Sequence, residues 1–229
     1  MKIGNKLVNG EFLERPNRYL AKVRIDGKTI SAHVPDPGRL PGLLIPGRRA
    51  RLIYNPGPKR KTDFTLALIR YKTIWVSVFP IFANRLVQQG LEGRKISCLE
   101  GYESFQKEVN SGNSRFDFQL RYSNNTAFVE VKSVSLVEGT VGKFPDAPTE
   151  RGRKHVQELI ELRKGGIRAI VLFISQRSDT KTITSNDAID PKFAVCLREA
   201  HAAGVELYGY NCQVTASAVS LNHSVKVIL

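Results

Sequence analysis

Cysteine is scarce in this chain, which has only Cys98, Cys196 and Cys212 among its 229 residues. The three are widely spaced and none belongs to a C-x-x-C pair, which argues against a disulfide framework and a cysteine zinc site. Long apolar runs are missing as well: the longest, at residues 169–174, is far shorter than the roughly 20 residues of a membrane helix. Residues 1–17 also lack the apolar segment of a signal peptide. We therefore expect a soluble protein of the reducing cytoplasm, with no membrane partner.

Acidic residues are few in the first half of the chain. Residues 1–100 contain 19 Lys and Arg against 7 Asp and Glu, whereas residues 101–229 contain 16 against 14, and the net charge is +14. The electrostatic field of a protein with this positive charge attracts anions, and nucleic acid is the commonest anionic partner of basic proteins. A membrane surface is the second candidate, and adaptation to salt or heat would give a similar composition. No helix-turn-helix pattern is present, so we expect DNA to be bound mainly through its backbone.

Short alternating segments dominate the first eighty residues. Residues 19–25 and 30–34 alternate in polarity around the hairpin turn Asp26-Gly27, and further strand candidates lie at residues 48–54, 64–71 and 73–79. About five short strands suit a small closed barrel of the oligonucleotide-binding (OB) type. A helix is expected at residues 83–91. We place the join near residue 95, with an OB-like nucleic-acid-binding domain at residues 1–95 and a second domain at residues 96–229.

The second half alternates strands with helices. Strands are predicted at residues 115–122, 126–134, 167–175 and 205–210, and helices at residues 149–164 and 191–203. This order predicts a mixed sheet with helices packed against it. The whole chain is therefore expected to be an α/β (α+β) protein.

Two carboxylates lie on neighbouring strands of that sheet. A loop of two or four residues between the strands sets Asp117 directly across from Glu130, whereas a loop of odd length would send them to opposite faces. Like charges that close are destabilising unless they are compensated, and Mg²⁺ is commonly held by one or two carboxylates plus water and phosphate. Lys132 shares the face of Glu130 and could stabilise charge on a phosphate. The alternative is a solvated cross-strand ion-pair cluster.

The Asp followed by Glu-x-Lys on the next strand resembles the PD-(D/E)xK nuclease superfamily, although Phe116 stands where that superfamily has proline. A longer likeness, to the sugar fermentation stimulation protein A (SfsA) family, is carried by residues 35–39 (PDPGR), 83–87 (ANRLV), 114–118 (SRFDF), 129–134 (VEVKSV) and 144–155 (FPDAPTERGRKH). At residues 36 and 37 the family often has Asn-Thr, where this chain has Asp-Pro. The resemblance implies an OB-like barrel, a mixed-sheet nuclease-like domain, DNA binding and a regulatory role in sugar metabolism.

Two functions follow. The first is a DNA-binding protein with a nuclease-like site that depends on Mg²⁺ or Mn²⁺, with Asp117 and Glu130 as metal ligands, Glu108 as an additional ligand candidate and Lys132 as the catalytic cation. Glu108 could equally be an ordinary exposed glutamate. The second is a non-catalytic DNA-binding regulator of sugar-metabolism genes. The sequence does not decide whether the chain forms a homodimer.

Candidate DNA contacts come from both halves. Those in the first half are Arg18, Lys22, Arg39, Lys59, Arg60, Lys61 and Arg70, and those on the predicted helix 149–164 are Arg151, Lys154 and His155. The basic side chains could instead serve solubility, and His155, on the apolar face of its helix, could be a satisfied core residue. Five aromatics of the first half could stack on bases or fill the core: Tyr19, Tyr54, Phe64, Tyr71 and Trp75.

Overall fold

The computed structural model describes every residue from Met1 to Leu229. The first half holds six strands: β1 (Leu7–Asn17), β2 (Leu20–Ile25), β3 (Lys28–His33), β4 (Arg49–Tyr54), β5 (Phe64–Tyr71) and β6 (Ile74–Ser77). They form one sheet in the order β3-β2-β1-β4-β5-β6, and a parallel pairing of β3 with β5 closes the first five into a ring. The predicted OB-like barrel is confirmed. No helix of the structure is long and apolar enough to cross a membrane.

One strand of the barrel differs from the sequence-based expectation. The predicted strand at residues 73–79 corresponds to β6, which lies outside the ring, whereas β1, which was not predicted, completes it. β1 pairs with both β2 and β4 but carries register shifts between Phe12 and Asn17. These irregularities, together with Gly10 and Pro16, remove the strict alternation by which a strand is recognised in a sequence.

The Asp26-Gly27 turn forms as predicted. Ile25 pairs with Lys28, so the β2–β3 loop has two residues, and both have positive φ, at 47° and 77°. Two consecutive positive φ angles define the turn whose twist matches that of the flanking strands, and Asp-Gly suits it because glycine has no Cβ penalty there.

The second half is built on a nine-stranded mixed sheet. Its strands are β7 (Ser104–Ser111), β8 (Ser114–Arg121), β9 (Thr126–Val134), β10 (Leu136–Glu138), β11 (Val141–Phe144), β12 (Arg168–Ser175), β13 (Thr182–Ser185), β14 (Glu206–Val214) and β15 (Val219–Ile228). Their order is β10-β11-β13-β15-β14-β12-β9-β8-β7. Three helices accompany the sheet: α1 (Ile81–Glu92), α2 (Glu150–Lys164) and α3 (Pro191–Ala202). The predicted mixed sheet is confirmed.

Two separate cores cover this sheet. α2 and α3 pack on one face through residues such as Val156, Leu159 and Phe193. α1 packs on the other face, in a core that also contains Ala67 and Leu68 of the barrel strand β5. The barrel and the nine-stranded sheet therefore share apolar packing through the α1 side.

Segments of the first half contact the second half at more than one place. The Met1 carbonyl accepts from Val219 N and Ile3 N donates to Ser217 O, so the first residues lie against the second sheet. α1, which the sequence-based division assigns to the first domain, packs on β9 and β15. The division between residues 95 and 96 stays a prediction.

Candidate metal and nucleic-acid site

The loop between β8 and β9 sets the geometry of the site. Tyr122 N donates to Asn125 O at 2.8 Å, so the turn has the two residues Ser123 and Asn124. The strands pair in the register that sequence parity predicts, with Phe118 opposite Val129. The next position in this register is Asp117 opposite Glu130. The ladder of paired residues stops one step before it.

Side-chain alternation breaks at Asp117, contrary to expectation. In an unbroken strand Phe116 and Phe118 would lie on one face. Here Phe116 packs beside the His155 ring of α2, and Phe118 packs in the core on the α1 side. The β7–β8 ladder is interrupted at the same place: it skips the opposed residues Glu108 and Asp117 without any shift of register, and Glu108 adopts φ of +53°. Positive φ is uncommon for a residue other than glycine, and the alternating pattern of the sequence does not indicate it.

The Asp117 carboxylate lies in the gap that this break creates. One oxygen accepts a hydrogen bond from Nδ2 of Asn84 on α1 at 2.5 Å, and the other accepts from Val131 N at 2.7 Å. The carboxylate therefore takes the place of a ladder partner for β9. Burial first, and the nearby Glu130 carboxylate second, raise the pKa of Asp117 to about 6.

Glu130 has the opposite electrostatic surroundings. Its Oε1 accepts from Lys132 Nζ at 2.7 Å and lies 2.5 Å from His155 Nδ1. Burial alone would raise the pKa of Glu130, but the contacts with His155 and Lys132 outweigh it and lower the pKa below the ordinary value. Glu130 is thus contacted by Lys132 and His155, whereas Asp117 forms no direct contact with a cationic side chain.

The expected alternative of a solvated ion-pair cluster does not describe this arrangement, because Glu130 is 4% exposed and Lys132 is 8% exposed. The second carboxylate oxygen of Glu130, Oε2, is buried and has no hydrogen-bond partner. A buried carboxylate oxygen left unpaired carries a large desolvation cost, and a cation would remove it.

Asp117 and Glu130 fit a divalent cation that takes only one or two of its ligands from the protein. No group of three or more His, Cys, Asp or Glu side chains is placed to hold a metal ion, so a preformed cage is absent. Asp117 and the unpaired Glu130 oxygen supply two hard oxygen donors, which is the ligand type and number that Mg²⁺ commonly takes from protein.

Glu108, the additional ligand candidate, lies near Asp117 without joining it. Both line a cleft of about 380 Å³ between α1 and β7–β8, which Asn84 and Lys107 also border. The Glu108 carboxylate instead pairs with Arg115 at 3.5 Å, with both side chains more than half exposed. Its role as a ligand remains a prediction.

The barrel reaches the sheet domain beside this site. Arg15 donates from its guanidinium to the carbonyl oxygens of Arg18, Asp36, Gly38 and Arg39, which ties two barrel loops together. Gly38 packs so closely against the Asp146 carboxylate that an added Cβ would lie 2.1 Å from its oxygen. This glycine is therefore required by a contact between the two halves of the chain.

That contact brings basic side chains of both halves toward the start of α2. Asp146 precedes α2, whose N-cap is Thr149 and whose first turns carry exposed Arg151 and Lys154. Arg18 and Arg39, on the loops tied by Arg15, are exposed as well. His155 of the same helix is buried and touches Glu130. Of the three candidate DNA contacts on α2, Arg151 and Lys154 are therefore exposed, whereas His155 is buried against Glu130.

The other barrel candidates have different surroundings. Lys59, Arg60 and Lys61 are exposed on the β4–β5 loop. Lys22 donates to Ser31 Oγ at 3.1 Å, and Arg70 stacks over the Trp75 ring. Among the five aromatics considered for stacking, Tyr19 is 52% exposed, whereas Tyr54, Phe64, Tyr71 and Trp75 are partly buried.

Sequence reasoning missed three residues of the site region: Asn84, Arg15 and Asp146. Asn84 and Asp146 fall within the family-like segments, but nothing in their spacing indicates that one would bind Asp117 and the other would contact Gly38. Arg15 belongs to β1, the unpredicted strand. Only the folded chain brings these residues to their partners.

Comparison with known proteins covers almost the entire chain. A family model described as "Sugar fermentation stimulation protein RE domain" matches residues 81–218, and one described as "SfsA N-terminal OB domain" matches residues 13–78. Relatives described as "Sugar fermentation stimulation protein homolog" include one from Caldanaerobacter subterraneus subsp. tengcongensis, 40% identical with all of both chains covered. Another, from Clostridium botulinum, is 42% identical with 96% of each chain covered. The solved structure of Pyrococcus furiosus SfsA in complex with Ca²⁺ matches with a TM-score of 0.88, 29% identity and full coverage of both chains. The chain therefore belongs to the sugar fermentation stimulation protein (SfsA) family.

Proposed function

We propose that this protein binds DNA and hydrolyses phosphodiester bonds with the help of a divalent cation, Mg²⁺ or Mn²⁺. The observation that carries the proposal is the buried, unpartnered Oε2 of Glu130, on the strand next to that of Asp117, whose carboxylate forms no ion pair. Lys132 lies beside them with Nζ 2.7 Å from the other Glu130 oxygen. Two carboxylates and a lysine in a buried setting are the groups that metal-assisted hydrolysis requires.

Each side chain has a distinct task. Asp117 and Glu130 would hold the cation, which when bound supplies Lewis-acid chemistry by lowering the pKa of water and neutralising phosphate charge. Lys132, fixed by Glu130, presents its ammonium to the charge that develops on the phosphate. His155 contacts the same Glu130 oxygen as Lys132 and orients the carboxylate so that Oε2 stays free. Asn84 Nδ2 donates to one oxygen of Asp117 and orients that carboxylate.

The basic surface of the barrel would deliver the nucleic acid. Arg18 and Arg39 lie on loops joined to the sheet domain through Gly38 and Asp146, and Arg151 and Lys154 lie on the helix that begins just after Asp146. Backbone phosphates passing over these cations would run beside the carboxylates. Such contacts are independent of sequence and weaken steeply as salt rises.

Two of the comparisons agree with this proposal. The Pyrococcus furiosus relative forms a complex with Ca²⁺, a cation that takes only oxygen ligands. The matched OB domain belongs to a fold class that binds oligonucleotides. Ca²⁺ would suit the same pair of carboxylates in this chain.

The test is a cleavage assay on single-stranded, duplex and branched DNA with Mg²⁺, Mn²⁺ or EDTA, combined with calorimetric titration of Ca²⁺. We expect Asp117→Asn to abolish both cleavage and cation binding, and Lys132→Met to abolish cleavage while cation binding persists. Lys164→Met is a matched control, because Lys164 forms an exposed ion pair with Glu161 at the far end of α2. Absence of metal-dependent products from every substrate would refute hydrolysis.

A non-catalytic DNA-binding regulator of sugar-metabolism genes is the second candidate. It is favoured by the lack of a three-ligand metal group and by the position of the excess charge in the first half of the chain. The same assay distinguishes the two, because a regulator would bind the DNA and leave it intact under every metal condition.

A further inference from the structure

A groove lined only by barrel residues combines an exposed aromatic ring with two cations. Its volume is about 460 Å³, and it is lined by Asn17, Tyr19, Leu20, His33, Arg60, Lys61 and Thr62, none of which is acidic. Clefts that hold small ligands range from about 300 to 1,000 Å³. The groove is therefore large enough for one nucleotide unit and carries the charge that a phosphate prefers.

Strand pairing explains why these residues meet. Leu20 pairs with His33 in the β2–β3 hairpin, and His33 pairs with Thr65 where β3 closes the barrel against β5. Thr65 Oγ1 in turn accepts from an Arg60 guanidinium nitrogen at 2.7 Å, and Arg60 Nε donates to Thr62 O at 3.2 Å. The closure of the barrel thus sets a fixed arginine beside the β1–β2 turn.

The ring of Tyr19 is exposed although its backbone is held rigidly. Tyr19 N donates to Asn17 Oδ1 at 2.9 Å, and Tyr19 O accepts from Val34 N at 2.9 Å. The preceding carbonyl, of Arg18, accepts from Arg15 at 2.6 Å. With 52% of the residue open to solvent, the ring is accessible to a ligand in the groove. An exposed aromatic ring beside cations is the arrangement on which single-stranded binders stack bases.

We propose that this groove binds single-stranded DNA, with one unpaired base stacked on Tyr19 and the adjoining phosphates on Arg60 and Lys61. This inference rests on the proposed DNA binding and adds a substrate class to it. Duplex bases already stack on each other inside the helix and offer no free face to the ring, so the groove selects single strands, flaps or frayed ends. Duplex DNA would meet the cations alone.

The test uses the full-length chain and a fluorescently labelled 12-mer of thymidine, with a 12-base-pair duplex as the second probe and EDTA present to prevent cleavage. By fluorescence anisotropy, Tyr19→Ala should weaken single-strand binding by roughly 5- to 150-fold, as expected for one lost stacked base, and should leave duplex binding close to wild type. Tyr19→Phe keeps the ring and should bind like wild type. A thermal melt shows that each variant is folded.

Two lysine substitutions, one inside the groove and one outside it, test the phosphate contact. Lys61→Ala should lower the salt dependence of single-strand binding by about 0.7 in the slope of log affinity against log salt, the value for one phosphate contact. Lys28→Ala removes the same charge at the opposite end of the β2–β3 hairpin, outside the groove, and should leave that slope unchanged.

The outcomes separate the two proposals. If wild type binds neither probe, the proposed DNA binding itself fails. If wild type binds both probes but Tyr19→Ala weakens them equally, or weakens neither, the stacking site is refuted while DNA binding stands. Selective loss of the single strand in Tyr19→Ala, with retention in Tyr19→Phe, would support the groove.

Discussion

The junction between the barrel and the sheet domain contains a buried charge whose removal should stabilise the protein. Asp36 is 8% exposed, and burial first and the nearby Asp146 carboxylate second raise its pKa from 3.8 to about 6. Its Oδ1 accepts from Gly38 N at 2.8 Å. In Asp36→Asn the amide oxygen can accept the same bond, and Arg15 can still donate to the Asp36 backbone carbonyl. The substitution therefore removes the charge and keeps the local hydrogen bonds.

The sign and the size of the change in unfolding free energy follow from the pKa of Asp36 in the unfolded chain, 3.8, and in the folded protein, about 6. The folded state holds the Asp36 proton more tightly than the unfolded state, so the associated stability is fully present below about pH 4 and is lost as pH rises through about 6. At about 1.36 kcal/mol per pKa unit, the ionised carboxylate costs about 3 kcal/mol at pH 7.5 and about 1 kcal/mol at pH 4.5. The larger figure is an upper bound, because Asp36→Asn also buries an amide nitrogen that needs a hydrogen-bond acceptor of its own.

Urea and thermal unfolding at these two pH values measure the effect. Asp36→Asn should be more stable than wild type at pH 7.5 by up to about 3 kcal/mol, or about 6–12 °C in Tm for a chain of this size, and by about 1 kcal/mol at pH 4.5. Asp63→Asn, at an exposed position of the same half, should change the unfolding free energy by less than about 0.5 kcal/mol at either pH. A loss of stability in Asp36→Asn at pH 7.5, or a gain that does not depend on pH, would refute the reasoning.

Three further predictions concern buried partners and a helix cap. Arg177 is 2% exposed and pairs with Asp179 at 2.6 Å, so Arg177→Met should lower the unfolding free energy measured in urea by about 3 kcal/mol. Arg198→Met removes the arginine of an exposed ion pair and should change the unfolding free energy by less than about 1 kcal/mol. Equal effects of the two substitutions would contradict the burial argument. Glu130→Gln leaves the Lys132 ammonium buried without a carboxylate and should also cost about 3 kcal/mol, so an unchanged urea midpoint would count against that ion pair. Thr149 Oγ1 accepts from Gly152 N at 3.0 Å, so Thr149→Ala should lower stability by about 1 kcal/mol in thermal unfolding, while Thr149→Ser, which keeps the hydroxyl, should restore it.

Local signals in the sequence were sufficient for several elements of this fold. The Asp26-Gly27 turn forms because positive φ is inexpensive for these residues, and α2 begins at the Thr149 cap because its hydroxyl meets a free amide of the first turn. The β8–β9 register follows from parity alone, since a two-residue turn allows one alignment that keeps the apolar residues together. These features depend on neighbours close in the chain.

The position of the Asp117 carboxylate was not available from such signals. Alternation predicted Asp117 and Glu130 on a common face, but the ladder ends at Phe118, and the Asp117 side chain pairs with Val131 N and with Asn84. Asn84 lies 33 residues earlier in the chain, on a helix that packs across the sheet. A contact at that separation depends on how whole layers pack.

The scarcity of acidic residues in the first half separates a basic barrel from a more balanced sheet domain. The sequence by itself determined this charge distribution and predicted the fold class, and strand parity predicted the register that brings Asp117 near Glu130. Only the tertiary structure decided that the halves meet through Gly38 and Asp146, that Tyr19 stands exposed beside Arg60, and that one oxygen of Glu130 is buried without a partner. The physical reason is range: hydrophobic period and turn chemistry act over a few residues, whereas burial and hydrogen-bond satisfaction depend on segments that become neighbours only when the barrel closes and the layers pack.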